Sequence, residues 1–172
     1  TEIIDKLFNN WKDSKKITDL GININKIYKN ITKFLFKTNF RIAFCHNDLI
    51  MNNILISNNR IHIIDLEYSG NNYILYEFAN MFNELSIDYN NCTLRNIDIK
   101  PLEKKILYEY FGFKVDFNKL YEDISKFKKI SNFLWTLWSF KQIDLEQNNS
   151  FDYYKYGLLR LSMFNNGIQG FH

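Results

Sequence analysis

The sequence predicts an α+β fold, predominantly helical, folded as one domain over residues 1–172. Three observations predict it. Apolar residues at positions 3, 4, 7, 8 and 11 form a helical stripe, and Phe117, Leu120, Tyr121, Ile124, Phe127, Leu134 and Trp138 form a longer one. Two short apolar runs, Ile54–Ser57 and Arg60–Ile64, flank Asn58-Asn59, a pair that tolerates the positive φ of a tight hairpin turn. A content of 46% hydrophobic and 17% aromatic residues excludes disorder and is enough for a sizeable core.

Taken in order, residues 2–12 read as the first helix and Thr18–Asn23 as a turn. Ile24, Ile27, Tyr28, Ile31, Phe34 and Leu35 mark a second helix ending near Lys37, and 41–45 a short strand. A two-residue loop pairs Ser57 with Arg60 and Ile56 with Ile61, which leaves Asn53 opposite Ile64. Ser69 to Asn72 reads as a turn, and 77–85 as a helix with Phe78, Phe82 and Leu85 on one face. Residues 86–100 read as irregular, with Asn90-Asn91 at a loop tip. Pro101 suits a first helical turn, since its missing N–H costs nothing there, and Gly112 closes that helix after Phe111. A long helix spans about 117–145, and Ser150 caps a last one over 151–164 that Gly167 terminates.

Several function classes drop out. The net charge is +3, from 22 basic and 19 acidic residues with no basic block, so nucleic acid is not an expected partner. No apolar run approaches the ~18 residues of a membrane span, and charges interrupt the first apolar stretch, unlike a signal peptide. Cys45 and Cys92 fit neither a metal site nor a disulfide scaffold, which suits a reducing, cytoplasmic compartment.

The chemistry concentrates in His46-x-Asp48-x4-Asn53, followed twelve positions later by Asp65. The hairpin folds the Asp65 carboxylate and the Asn53 amide oxygen onto one spot, the donor set that Mg²⁺ takes alongside water and phosphate. Asp48 lies in the loop feeding the first hairpin strand. In phosphoryl transfer an Asp so placed orients or accepts the hydroxyl proton, while Asn and a second Asp hold the metal on the ATP phosphates. Asp48, Asn53 and Asp65 take those roles here. Glu67 either reaches a second cation or stands as a solvated strand-end charge, and both readings stay open. His46 is read as holding the loop by hydrogen bonding.

Phe-Cys-His-Asn-Asp-Leu (44–49), Ile-Asp-Leu-Glu-Tyr-Ser-Gly-Asn-Asn-Tyr (64–73) and Phe-Ala-Asn-Met-Phe-Asn-Glu (78–84) resemble the choline/ethanolamine kinase family. Phe133-Leu-Trp-Thr-Leu-Trp-Ser139 resembles that family's paired-tryptophan helix, and Tyr156 to Arg160 its last helix. The resemblance implies the C-terminal lobe of a protein-kinase-like fold. It implies ATP- and Mg²⁺-dependent phosphorylation of choline or ethanolamine, the entry step to phosphatidylcholine or phosphatidylethanolamine synthesis. It places Tyr68, Tyr89, Trp135, Trp138 and Tyr156 around the amino-alcohol head group, with Glu84 as counter-charge. From spacing alone Trp135 and Trp138 read sooner as core, and Tyr153 or Tyr154 could take the place of Tyr156. Nothing ahead of Phe44 resembles a phosphate-covering loop or a strand Lys, so the N-terminal lobe is expected to be missing and the fragment inactive by itself. A lobe cut at the cleft would expose apolar surface and self-associate, which leaves a homodimer open.

The chain departs from the family pattern at five positions. Ile50 and Asn52 stand where choline kinases usually show Gln and Gly, and look more like ethanolamine kinases. Glu77 replaces an Asp that in related kinases holds the catalytic loop. Met81 replaces a His, and Leu85 replaces a Trp or Phe beside the pocket. A smaller aromatic box disfavours trimethylammonium relative to a primary ammonium. Two other readings remain: another small-molecule kinase such as an aminoglycoside phosphotransferase, or a non-catalytic amino-alcohol-binding module of pseudokinase type.

Overall fold

The computed structural model describes residues 2–37, 39–112, 115–145 and 151–166. Helix α1 (Glu2–Trp11) carries the first stripe and buries Ile3, Ile4, Leu7, Phe8 and Trp11. The expected turn at 18–23 is preceded by a short helix, α2 (Lys15–Asp19), which periodicity cannot register over five residues. It is held from outside: the Ser14 hydroxyl donates to the Phe140 carbonyl at 3.1 Å, and Ile17 is buried. Helix α3 (Ile24–Phe36) follows, with Asn23 accepting from the Lys26 amide as its N-cap.

Strand β1 (Ile42–Cys45) pairs antiparallel with β4 (Gly70–Tyr73), from Ile42 opposite Tyr73 to Cys45 opposite Gly70. The stretch read as a turn at 69–72 is therefore mostly strand. Gly-Asn-Asn lacks strand propensity, but the buried Asn72 side chain donates to Asn47 Oδ1 at 2.7 Å and fixes the segment. Strands β2 (Ile54–Ser57) and β3 (Arg60–Ile63) form the expected hairpin, with Ser57 opposite Arg60 and Ile56 opposite Ile61. Asn58 and Asn59 take φ of 50° and 58°, as the tight turn requires.

Helix α4 (Ile74–Leu85) starts three residues before the expected Glu77. The region read as irregular contains a two-residue pairing of β5 (Ile87–Asp88) with β6 (Thr93–Leu94), and Asn90 and Asn91 lie in its turn. Helix α5 (Lys100–Phe111) has Pro101 in its first turn and Gly112, at φ 75°, beyond its end. Helix α6 (Phe117–Leu145) matches the long stripe. Helix α7 (Tyr153–Asn165) is capped by Asp152, whose side chain accepts from the Lys155 amide. Ser150 and Gly167, the expected cap and stop, lie outside the described residues.

The core forms around α6, which packs against α7, α4, α1 and α2. Phe127, Ile130, Leu134 and Phe140 of α6 are fully buried against Ile4, Tyr76 and Phe82. Glu103 of α5 accepts from Lys128 Nζ at 2.6 Å and from the Tyr121 hydroxyl at 2.9 Å, which ties α5 to α6. The β1–β4 pair packs against α1 and α4. No helix among the described residues is long and apolar enough to cross a membrane.

Candidate active site

The loop leaving β1 carries His46, Asn47 and Asp48. Asn47 sits at φ 67°, a left-handed conformation that Asn tolerates better than most residues. Glu77 of α4 holds this turn, accepting from the His46 amide at 2.9 Å and the Asn47 amide at 2.7 Å. A single Glu side chain thus spans two adjacent amides. His46 Nε2 lies 2.8 Å from the Ile64 carbonyl, and the Asp48 amide donates to His46 Nδ1 at 3.3 Å. Those partners assign the proton to Nε2.

Asn53 follows in a single 3-10 turn, Met51–Asn53. Its amide nitrogen donates to the Asp48 carbonyl at 2.9 Å and to Asp48 Oδ2 at 3.2 Å, leaving its own carbonyl oxygen as the atom available to a cation. The Ile64 amide donates to the Asn53 backbone carbonyl at 3.0 Å, so the hairpin sets Asp65 beside this group. Asp65 is exposed and adopts φ 63°. Glu67 is exposed as well, with its carboxylate beside the Tyr68 hydroxyl. Among the described residues, no three His, Cys, Asp or Glu side chains converge as a metal cluster. Asp65 and the Asn53 oxygen are nevertheless hard oxygen donors, and one carboxylate with an amide suits a Mg²⁺ ion that also takes phosphate and water.

Asp48 is pushed up to about 8, first by burial and then by the negative charges of Glu84 and Asp65. The Asn53 hydrogen bond and the Arg160 cation pull the other way. A carboxyl displaced in this way by burial and two neighbouring charges marks a candidate functional group.

On the other side of Asp48 the aromatic residues meet. Tyr68 stands edge-on to Trp135 with centroids 5.6 Å apart, and Trp138 Nε1 donates to the Tyr68 hydroxyl at 3.0 Å. Trp135 and Trp138 are 5.1 Å apart, Trp138 and Tyr156 6.2 Å, and Tyr156 stacks with Tyr89 at 6.2 Å. The Tyr156 hydroxyl donates to Glu84 Oε1 at 3.1 Å, and the Tyr89 hydroxyl donates to Glu84 Oε2. Burial and the Glu84 charge hold both phenols above their ordinary range, so they remain donors. Tyr156 is the tyrosine that reaches Glu84, whereas Tyr154 is half exposed and the Tyr153 ring packs on Trp138. Trp135 and Tyr156 are buried and Trp138 is half-buried, so these rings are packed into the core as well as against one another.

Two members of the cluster carry no site expectation from sequence. Arg160, fully buried, donates from Nη1 to Glu84 Oε1 at 2.7 Å. Its signal was one helical turn of spacing from Tyr156 on an otherwise apolar face. Trp11 packs on Tyr68 and Trp135 at 5.7 and 5.6 Å, and its place in the α1 stripe gave only a core reading. A cavity of about 340 Å³ opens beside Glu84 and Tyr89. Ile50, Asn52, Met81 and Leu85, four of the five departures from the family pattern, line its wall.

Comparison with known proteins gives one answer. Residues 2–165 match the model of the family described as choline/ethanolamine kinase. Ethanolamine kinase 2 of Rattus norvegicus is 32% identical over 132 residues, 72% of this chain and 34% of that protein. Probable choline kinase 2 of Arabidopsis thaliana is 31% identical over 147 residues, 78% of this chain and 42% of that protein. The chain therefore spans about a third to two fifths of the length of these relatives. Among solved structures, an ethanolamine kinase of Plasmodium vivax superposes with a TM-score of 0.74 at 27% identity, covering 97% of this chain and 50% of that one. Matched by this family's model over nearly its whole length, the chain belongs to the choline/ethanolamine kinase family.

Proposed function

We propose that the protein carrying this chain transfers the γ-phosphoryl group of ATP to the hydroxyl of ethanolamine or choline, and that residues 1–172 form one lobe supplying the catalytic loop and acceptor site. The observation that carries the reading is the hydrogen-bonded geometry of the loop: Asn53 donates to the Asp48 carbonyl at 2.9 Å and to Asp48 Oδ2 at 3.2 Å, and the hairpin returns to Asn53 through the Ile64 amide at 3.0 Å. Asp48 also feels the negative charges of Glu84 and Asp65.

A hydroxyl entering between them meets Asp48 as proton acceptor. Asn53 already holds Asp48 Oδ2, which leaves the other oxygen to face the alcohol. The Asn53 carbonyl and the Asp65 carboxylate would hold Mg²⁺, with Glu67 available to a second cation. The metal, when bound, neutralises charge on the phosphates. The ammonium end is taken by the faces of Trp135, Trp138, Tyr68, Tyr89 and Tyr156, with Glu84 behind them. Because Arg160 already pairs with Glu84, the cluster is not the strongly acidic surface that a polycationic aminoglycoside would need. The aliphatic wall at Ile50, Met81 and Leu85 favours a primary ammonium over a trimethylated one.

Apolar side chains stand exposed along the strands, with Ile56 at 78%, Ile61 at 70% and Phe44 at 69%. This is the face that a nucleotide-covering lobe would close upon, and the free cysteines suit a reducing, cytoplasmic setting. The test is ADP release by the full-length protein with each alcohol at saturating Mg·ATP. Turnover that disappears in Asp48→Ala supports the reading, and equal turnover in that variant overturns it.

A further inference from the structure

We propose that Asn80 is a positioning residue that ties the acceptor site to the catalytic loop through one buried relay. Asn80 lies on α4, one helical turn before Glu84, and is completely buried together with Asn47, Ser131 and Arg160. Its two amide atoms face opposite ends of the site. Oδ1 accepts from the Ser131 hydroxyl at 2.7 Å, and Ser131 Oγ in turn accepts from Arg160 Nη2 at 2.8 Å. Arg160 Nη2 also lies 3.5 Å from Asn80 Oδ1, while its Nη1 holds Glu84. On the other side Asn80 Nδ2 donates to the Asn47 carbonyl at 3.2 Å.

That carbonyl belongs to the peptide that joins Asn47 to Asp48. A peptide unit is planar, so fixing its oxygen fixes the plane from which the Asp48 side chain departs. The amide of Asn47 is pinned separately by Glu77, and its side chain donates to the Tyr68 carbonyl at 2.9 Å and accepts from Asn72. Glu77 thus sets the near side of the turn and Asn80 the far side. Asn47 sits at φ 67°, a left-handed conformation that Asn tolerates, and here its amide, side chain and carbonyl are all hydrogen-bonded. The carboxylate that faces the ammonium and the carboxylate that faces the hydroxyl are therefore held in one frame.

In this frame Asn80 touches no reacting atom. It acts through the orientation of Asp48, so its loss should lower kcat rather than weaken acceptor binding. The inference rests on the kinase reading above, and the experiment separates the two. Steady-state kinetics would be run on the full-length protein, its Asn80→Asp variant and its Ser131→Ala variant, with thermal midpoints measured beside them. Aspartate keeps an oxygen for Ser131 and Arg160 but cannot donate to the Asn47 carbonyl. The expected result is a kcat lower by about tenfold or more, with KM for the alcohol and for Mg·ATP within about twofold and the midpoint retained. An unchanged kcat, or a loss of kcat that tracks a loss of folded protein, overturns the inference. Should Asn80→Asp not fold, Ser131→Ala decides by the same criterion, with a kcat about threefold lower at constant KM expected. Absence of turnover in the unmutated protein with both alcohols would instead remove the underlying function.

Discussion

Arg160 and Glu84 form an ion pair of 2.7 Å between two helices, with the Arg160 side chain wholly removed from solvent and Glu84 nearly so. The pair lies beside the Tyr89 and Tyr156 rings and makes the carboxylate tolerable there. Breaking a buried pair from one side leaves an uncompensated charge. Arg160→Met is therefore expected to destabilise the fold by about 3–5 kcal/mol. Adding Glu84→Gln to it should return most of that loss, since both charges are then gone. Urea unfolding of the two variants checks this, and equal stabilities would contradict it.

Asp48 gives a pH dependence of definite sign. Its carboxyl is held near 8 in the folded protein, above the ordinary carboxylate value, so the fold favours the protonated form. That contribution is complete below about pH 4 and is lost as pH climbs toward 8, at up to about 1.4 kcal/mol per unit. Asp48→Asn removes it. The variant should be more stable than the parent at pH 8 and nearly equal to it at pH 4, when unfolding is followed without metal or nucleotide. A parent that gains stability from pH 5 to 8 relative to the variant would contradict the assignment.

The cavity beside Glu84 should set the choice of alcohol. Restoring an aromatic wall with Leu85→Trp is expected to raise kcat/KM for choline relative to ethanolamine by about fivefold or more, a cation–π gain of about 1 kcal/mol. Competition between the two alcohols measures the ratio directly. No change would place the discrimination elsewhere in the cluster.

Gly157 is where α7 comes close enough to α6 to deliver Tyr156 and Arg160. A Cβ there would meet Phe140 Cε2 at 3.1 Å and Ser139 Oγ at 3.2 Å. Gly157→Ala should cost about 1–3 kcal/mol through overpacking, despite the better helix propensity of Ala. It should also raise KM for the alcohol, because the helix carrying Tyr156 must move outward. A thermal midpoint at or above that of the parent would contradict this.

Much of the hairpin geometry was legible because its logic is local. The Asn58-Asn59 turn fixed the hairpin register by itself, and that register carried Asp65 back to Asn53. The long α6 stripe gave its helix boundaries directly. What stayed hidden depends on contacts distant in sequence. Gly70 to Tyr73 is strand because β1 and the Asn47 side chain are there to receive it, not because Gly-Asn-Asn-Tyr prefers extension. Helix α2 exists because Ser14 finds the Phe140 carbonyl 126 positions away. Arg160 carries no role in the sequence alone, since its meaning lies in facing Glu84 across the helix pair. Ile50, Asn52, Met81 and Leu85 were separate oddities in sequence and become one wall only when folded.

If Asp48 activates an alcohol hydroxyl held by the aromatic cluster, ³¹P NMR of the full-length protein will show the product. The protein would be incubated with Mg·ATP and ethanolamine or choline, beside Asp48→Ala, with alcohol binding measured separately by calorimetry. The parent is expected to give a new phosphomonoester resonance and ADP, the variant neither, with alcohol affinity in the variant within a few-fold of the parent. A variant that still forms the phosphomonoester, or a parent that binds the alcohol and hydrolyses ATP without forming it, would contradict the account.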